Sequence, residues 1–394
     1  MKYLKRKTGF NLPLLMAAAI LPLFFAACGG GDGGSTPRIP NDPVTPIVSI
    51  SIFPTTANIK AGESVTFTVT PQNTGFTVSA SGGNYTTSGN SVTYTSPSVT
   101  GEYELTVTAT ADTAKKATAK ISVLHVEDIS QTGDVDTELY GINNNGQVIG
   151  EYIDSLGNRT AFLKTGSTYT PITPPGAVGD VYVYGINDSG NVLGYADGGY
   201  FLRSGTAYQD IGDYPGADYT DYTDINNSGM LAGYITDGDG YSRGFIRNSG
   251  SFTLVDHPDA DMACAYYNPC GTWLTGINNL DNVTGVYRGT DGRYRSFIKD
   301  GGNYIPIEYS GGMGGQINVY VEGINDSGQA VGYFWGATGY SRGFIKDGGR
   351  FTEFIHPDAA SSGLGTYLTG INNSGQASGW FDDGEKVRGF VADF

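Results

Sequence analysis

Apolar and polar residues alternate with a period of two through most of the chain beyond residue 46, in short runs cut by Gly, Asn, Asp and Pro. Val48, Ile50 and Ile52 alternate with serines, and Val65, Phe67 and Val69 with threonines. Tyr103, Leu105 and Val107 follow, then Ile121 and Val123. This alternation predicts strands with one buried face, and roughly 80 residues of them predict a small two-sheet sandwich over 46–124.

From Tyr140 onward the pattern becomes periodic. Six times the chain reads Gly-Ile-Asn (Asp-Ile-Asn once), a polar turn, Gly and an aromatic residue, a second turn, then a strand ending in Phe-Ile or a variant of it. The anchoring residues are Ile142, Ile186, Ile225, Ile277, Ile324 and Ile371, with steps of 44, 39, 52, 47 and 47. A period of about 45 residues built from short strands predicts a propeller or a β-solenoid. The fifth repeat separates into Tyr320–Ile324, Gln329–Phe334, Arg342–Ile345 and Phe351–Ile355, joined by Asn-Asp-Ser-Gly and Lys-Asp-Gly-Gly turns that tolerate positive φ. Four antiparallel strands per repeat predict a blade. The last repeat stops after its third strand, at Arg388–Phe394, whereas a strand-like Val126–Ile129 precedes the first Gly-Ile-Asn. The expectation is therefore an all-β chain: a sandwich, then a six-bladed β-propeller over 125–394 closed by an N-terminal strand that removes the open edge.

Two resemblances add to this. The stretch Pro54-Thr55-Thr56-Ala57 with Ala61–Phe67, and Tyr94-Thr95-Ser96-Pro97 with Gly101-Glu102-Tyr103, resembles a bacterial immunoglobulin-like domain, which implies a spacer. The repeat text Ile-Asn-x-x-Gly-x-x-x-Gly with x-Gly-Phe-Ile resembles the extracellular HAF-repeat family, with Arg-Gly-Phe in place of His-Ala-Phe. That resemblance implies export and a propeller-like fold, and no defined reaction.

The N-terminus changes where the protein is expected to sit. Lys2, Lys5, Arg6 and Lys7 precede an apolar run from Leu12 to Phe25, and Phe25-Ala26-Ala27-Cys28 resembles a lipobox. Residues 1–27 then read as a lipoprotein signal peptide, with Cys28 lipidated and 28–45, rich in Gly, Pro, Asp and Ser, as a tether. A lipid chain anchors to a membrane without spanning it, and Gly29 after the anchor favours the outer membrane or cell surface. A plain secretory signal or an uncleaved membrane helix is the alternative. The charge is −16 over the whole chain, and cleavage would remove four basic residues and no acidic ones. So acidic a protein is a poor partner for nucleic acid. Cys264 and Cys270, with five residues between them, are expected to form a disulfide in an exported protein, two free thiols being the alternative.

Candidate chemistry is sparse. Gly-x-Ser-x-Gly occurs at Ser242 and Ser341, but on hairpins with no following helix, which does not suit a nucleophile elbow. Arg243, Arg295, Arg342 and Arg388 stand two residues before the repeat phenylalanine; they would either bond Asn, Asp or backbone carbonyls between blades or bind an acidic ligand. His257 and His356 are in matching His-Pro-Asp contexts and His125 is at the junction, too scattered for zinc. The acidic turns at Asp237, Asp239, Asp382 and Asp383 offer calcium a weak opening, with solvated turns as the simpler reading and no other cofactor indicated.

Three residues before the Gly or Asp of each Gly-Ile-Asn stand Glu138, Tyr182, Asp221, Trp273, Tyr320 and Tyr367. If this strand is innermost, four aromatics and two carboxylates approach one end of the central channel. They would form a surface for sugar stacking, or else pack between neighbouring strands. The expected function is non-catalytic binding of an envelope or extracellular polysaccharide or of a protein partner. The alternatives are a propeller glycosidase or lyase, with Glu138 and Asp221 as its carboxylates, and a structural cell-surface component.

Overall fold

The computed structural model describes residues 49–70, 75–130, 133–263, 270–309, 318–335, 339–360 and 363–394. Cys28 and Cys264 lie outside them. The described residues are all-β, in eight four-stranded sheets.

Two sheets come first. One runs in the order Ser51–Phe53, Ser64–Thr70, Ser91–Thr95, Asn84–Ser88, and the other Thr56–Lys60, Lys116–Leu124, Gly101–Ala109, Phe76–Ala80. The alternation works as anticipated: Phe67, Val69, Val92, Tyr94, Leu105, Val107, Ile121 and Val123 share one buried core while the threonines between them face out. Hydroxyl pairs such as Ser64–Thr95 and Thr66–Thr93 ladder the outer face.

The other six sheets follow the repeats, each strand pairing with the next in sequence. The inner strands are Asp134–Ile142, Val181–Ile186, Tyr219–Ile225, Thr272–Ile277, Val319–Ile324 and Thr366–Ile371. Each packs against its successor, and the sixth packs against the first. Val126–Ile129 supplies the outer strand of the sixth sheet, antiparallel to Val387–Asp393 with Gly389 opposite Ile129.

Two recurrent glycines follow from this packing, the second replaced by Asp224 in the third repeat. A Cβ on the glycine of the second strand would strike the inner strand or the repeat phenylalanine: 2.0 Å from the Tyr320 carbonyl at Gly332, 2.3 Å from the Phe201 ring at Gly194. The glycine before Ile-Asn sits where inner strands meet backbone to backbone, Gly323 against Gly370 and Gly370 against Gly141. The repeat phenylalanines Phe162, Phe201, Phe245, Phe297, Phe344 and Phe390 are all buried. Truncating any one to Ala is worth about 3–5 kcal/mol.

Candidate functional site

The asparagine of each Gly-Ile-Asn has a specific task. Its Oδ1 accepts the backbone N–H four residues on, closing its own turn. Its Nδ2 donates to the carbonyl of the corresponding asparagine in the next sheet: Asn143 to Asn187, then Asn226, Asn278, Asn325, Asn372 and back to Asn143, at 2.9–3.2 Å. A side chain with both a donor and an acceptor is needed, so Asp cannot replace it. A second circuit lies above. The N–H groups of Asn144, Asp188, Asn227, Asn279, Asp326 and Asn373 each donate to the next side-chain oxygen at 2.7–2.9 Å, returning to Asn144. Burial disfavours the charge on Asp326, but bonds from Asn279 and Asn373 outweigh it and hold its pKa below the ordinary value.

Beneath these circuits lies a narrow central cavity of about 80 Å³. Small-molecule sites run to about 300–1,000 Å³, so it is too small for a sugar. Its wall includes Tyr140, Tyr184, Thr223, Thr275, Glu322 and Thr369, the residues immediately before the motif. Every inner strand has a β-bulge at this point. A bulge re-aims a side chain, and here it turns that residue into the channel.

The six positions singled out from sequence therefore lie elsewhere, at the junction of each sheet with the preceding one. Tyr320 stacks on Tyr333 and meets Trp335 edge-on. Tyr367 stacks on Trp380 at 3.8 Å and accepts the Ser341 hydroxyl at 2.7 Å, or donates to it. Trp273 packs with Tyr234 and Tyr294. The carboxylate of Asp221 accepts the Tyr200 and Tyr234 hydroxyls, and burial, partly offset by these bonds, pushes its pKa up to about 6. Glu138 accepts the Tyr140 hydroxyl. All five are buried.

Tyr182 differs. It is partly exposed at the junction of the first and second repeats, its ring 6.4 Å from Tyr195 and 6.0 Å from the Arg159 guanidinium. Arg159 pairs with the buried Glu151 at 2.7 Å, and Glu151 also accepts the Val183 N–H. The Tyr182 hydroxyl donates to Asp180 at 3.0 Å. Asp197, in the left-handed region at φ 50°, accepts the N–H groups of Val178 and Gly179 and so pins the loop entering this strand. Exposed apolar side chains belong to loops on this same side, including Leu156 (84%) and Val178 (95%). Glu151 and Arg159 were missed in sequence because Arg159 is one position off the recurrent arginine.

The recurrent arginines do not bridge blades as expected; each pairs with a carboxylate of its own repeat, which lies nearer along the hairpin. Arg243 bonds Asp256, Arg295 grips Asp291 through two nitrogens at 2.6 and 2.9 Å, Arg342 meets Glu353 and Arg388 meets Asp383. Ser242 and Ser341 are buried at strand starts. The acidic turns are occupied: Asp237 accepts the N–H groups of Asp239 and Tyr241, Asp382 those of Gly384 and Leu364, and Asp383 those of Glu385 and Lys386. His257 and His356 stack on Tyr287 and Phe381. His356 also meets Asp128 and lies close to Asp358, a His–Asp grouping among the described residues whose carboxylates both bond the Lys60 ammonium. Cys270 is buried; the expected pairing with Cys264 involves a residue outside those described.

No family model matches the chain, and no curated protein does. Among solved structures it is similar to a fungal lectin from Aleuria aurantia, described as having a six-bladed β-propeller fold and a novel fucose recognition mode (TM-score 0.41, 11% identity, 67% of this chain and 93% of that one). It is also similar to SapL1 lectin in complex with alpha methyl fucoside (TM-score 0.41, 11% identity, 64% and 89%) and to YCF48 bound to D1 peptide (TM-score 0.34, 11% identity, 68% and 84%). These similarities are too distant to assign a family or a function.

Proposed function

We propose that this chain is a lipid-anchored envelope protein whose six repeats form a closed six-bladed propeller that binds polysaccharide without catalysis. The carrying observation is the exception at the first junction: five of the six equivalent positions are buried, and Tyr182 alone is partly exposed. Two tyrosine rings, a guanidinium and a carboxylate around a rigid loop offer a stacking face together with hydrogen-bond donors and acceptors. Sites of this kind sit on loops fixed by a rigid scaffold.

The domain plan supports presentation away from a membrane. Residues 1–27 are the proposed lipoprotein signal peptide, Cys28 the lipid-bearing residue, 28–45 the tether, 46–124 an immunoglobulin-like spacer and 125–394 the propeller. Ser51 pairs with Thr70 and the chain advances from there to Lys60, which bonds Asp358 of the ring. Cys28→Ala should abolish incorporation of labelled fatty acid.

A glycosidase is less well supported. Glu138 and Asp221 each accept tyrosine hydroxyls inside separate junctions, and a hydrolytic pair must flank one bond at about 5–10 Å. The test is a glycan array probed with the full chain and with Tyr182→Ala. Saturable binding lost in the variant supports the reading. Binding unaffected by the substitution, or silence across the array, refutes it and leaves a protein partner or a structural role.

A further inference from the structure

We infer that the cleft between the first two sheets and the ring binds a small organic cation carried on an apolar body. The cleft encloses about 360 Å³, within the range of roughly 300–1,000 Å³ common for small-molecule sites, which favour such interfaces. It is separate from the Tyr182 groove and does not depend on it.

Its walls are tied together. The Lys60 ammonium bonds Asp128 at 2.9 Å and Asp358 at 2.6 Å, and Asn58 Nδ2 reaches the Ile355 carbonyl at 3.4 Å. Burial works against the Asp128 charge, but its bonds to His356 and Lys60 prevail and lower its pKa, so the tie is charged at neutral pH.

The lining combines apolar surface with unbalanced negative charge. Val123, Leu124, Ile345, Phe354 and Phe394 form the apolar part. Phe394 is 43% exposed and held edge-on against Phe354 at 5.0 Å. An exposed ring face attracts a cation. Glu102, Asp347 and Asp393 also line the cleft. Glu102 accepts the Ser122 hydroxyl and Asp347 the Gln329 amide, neutral partners that leave each charge in place, while Asp393 accepts the Gln376 amide and lies 3.4 Å from the His125 ring. Glu353 is matched by Arg342, which leaves one arginine, Arg350, and three further carboxylates in the lining. An anion is repelled there, and an ammonium on an aromatic or aliphatic body meets both features.

Ligand-observed NMR on the full chain tests this with three probes sharing one body: 2-phenylethylammonium, 2-phenylethanol and phenylacetate. The cation should bind most tightly, lose affinity with added salt, and weaken by roughly five-fold in Glu102→Gln/Asp347→Asn, whose carboxylates are exposed. Phe394→Ala should weaken the cation and the alcohol together, and Lys60→Met should weaken every probe without moving the ring's thermal transition. Equal binding of the three probes, preference for the anion, or no saturable binding overturns the inference.

Discussion

Asn278→Asp is the sharpest probe of the architecture, because it changes one donor and almost no volume. Asn278 is 3% exposed; its Oδ1 accepts the N–H groups of Leu280 and Asn282, and its Nδ2 donates to the Asn325 carbonyl at 2.9 Å. Aspartate keeps both acceptor bonds. It removes the Nδ2 donor, leaving the Asn325 carbonyl with only the Gly328 N–H, and brings a carboxylate oxygen against it in a buried place. A lost hydrogen bond costs about 0.5–1.5 kcal/mol, and the misplaced buried charge adds to this. A total of about 2–4 kcal/mol corresponds to a fall in Tm of roughly 5–15 °C for a domain of this size. The control is Ser189→Ala, an exposed position in the second repeat's turn whose backbone N–H to Asn187 Oδ1 is retained; it should cost less than about 1 kcal/mol. Urea and thermal denaturation of the full chain read both. Asn372→Asp adds a test of closure, since Asn372 donates to Asn143 across the chain's ends. In a closed ring it should cost as much as Asn278→Asp. If Asn278→Asp were as mild as the control, the inter-sheet amide circuit would not be what holds the ring.

Three further outcomes follow from the packing and charge. Gly332→Ala should cost at least about 2 kcal/mol by urea denaturation, since its Cβ would lie 2.0 Å from the Tyr320 carbonyl, whereas Gly349→Ala meets nothing within 4 Å and should be near neutral. Asp221 has a folded pKa of about 6, above its unfolded value, so its contribution is fully present below about pH 4 and is lost as pH rises through 6. Asp221→Asn should therefore remove a decline in stability of about 3 kcal/mol between those limits, measured as the difference between the two chains' denaturation midpoints against pH. Arg295→Ala, at a partly exposed pair, should cost less than about 1 kcal/mol and leave glycan binding unchanged.

Much of this fold was legible in the sequence because each level of signal agreed. The alternation around Phe67 and Leu105 named the faces of the first core, and the four pieces of the fifth repeat became strands within a residue or two. Val126–Ile129 paired where the unfinished last repeat left room for it. The site was harder to read. Simple alternation gives no sign of the bulge before each Gly-Ile-Asn, so it aims Tyr320 and Tyr367 at the channel, where Glu322 and Thr369 stand. Burial at the junctions depends on how two sheets meet, and one repeat cannot reveal it: Tyr182 and Tyr367 hold the same place in the motif, yet one is open and the other stacked under Trp380. The asparagine circuit was hidden in plain view. Its donor is used between repeats, 39 to 52 residues away, and only the ring brings those partners together.

The most direct measurement is hydrogen–deuterium exchange of the full chain with and without a glycan that scores on the array. The account predicts protection at the loop and strand around Val178–Val183 and at Tyr195–Asp197, with the Asn278 and Asn325 turns unchanged. Protection confined to the opposite, asparagine-bearing mouth, or none anywhere despite saturating ligand, would contradict it.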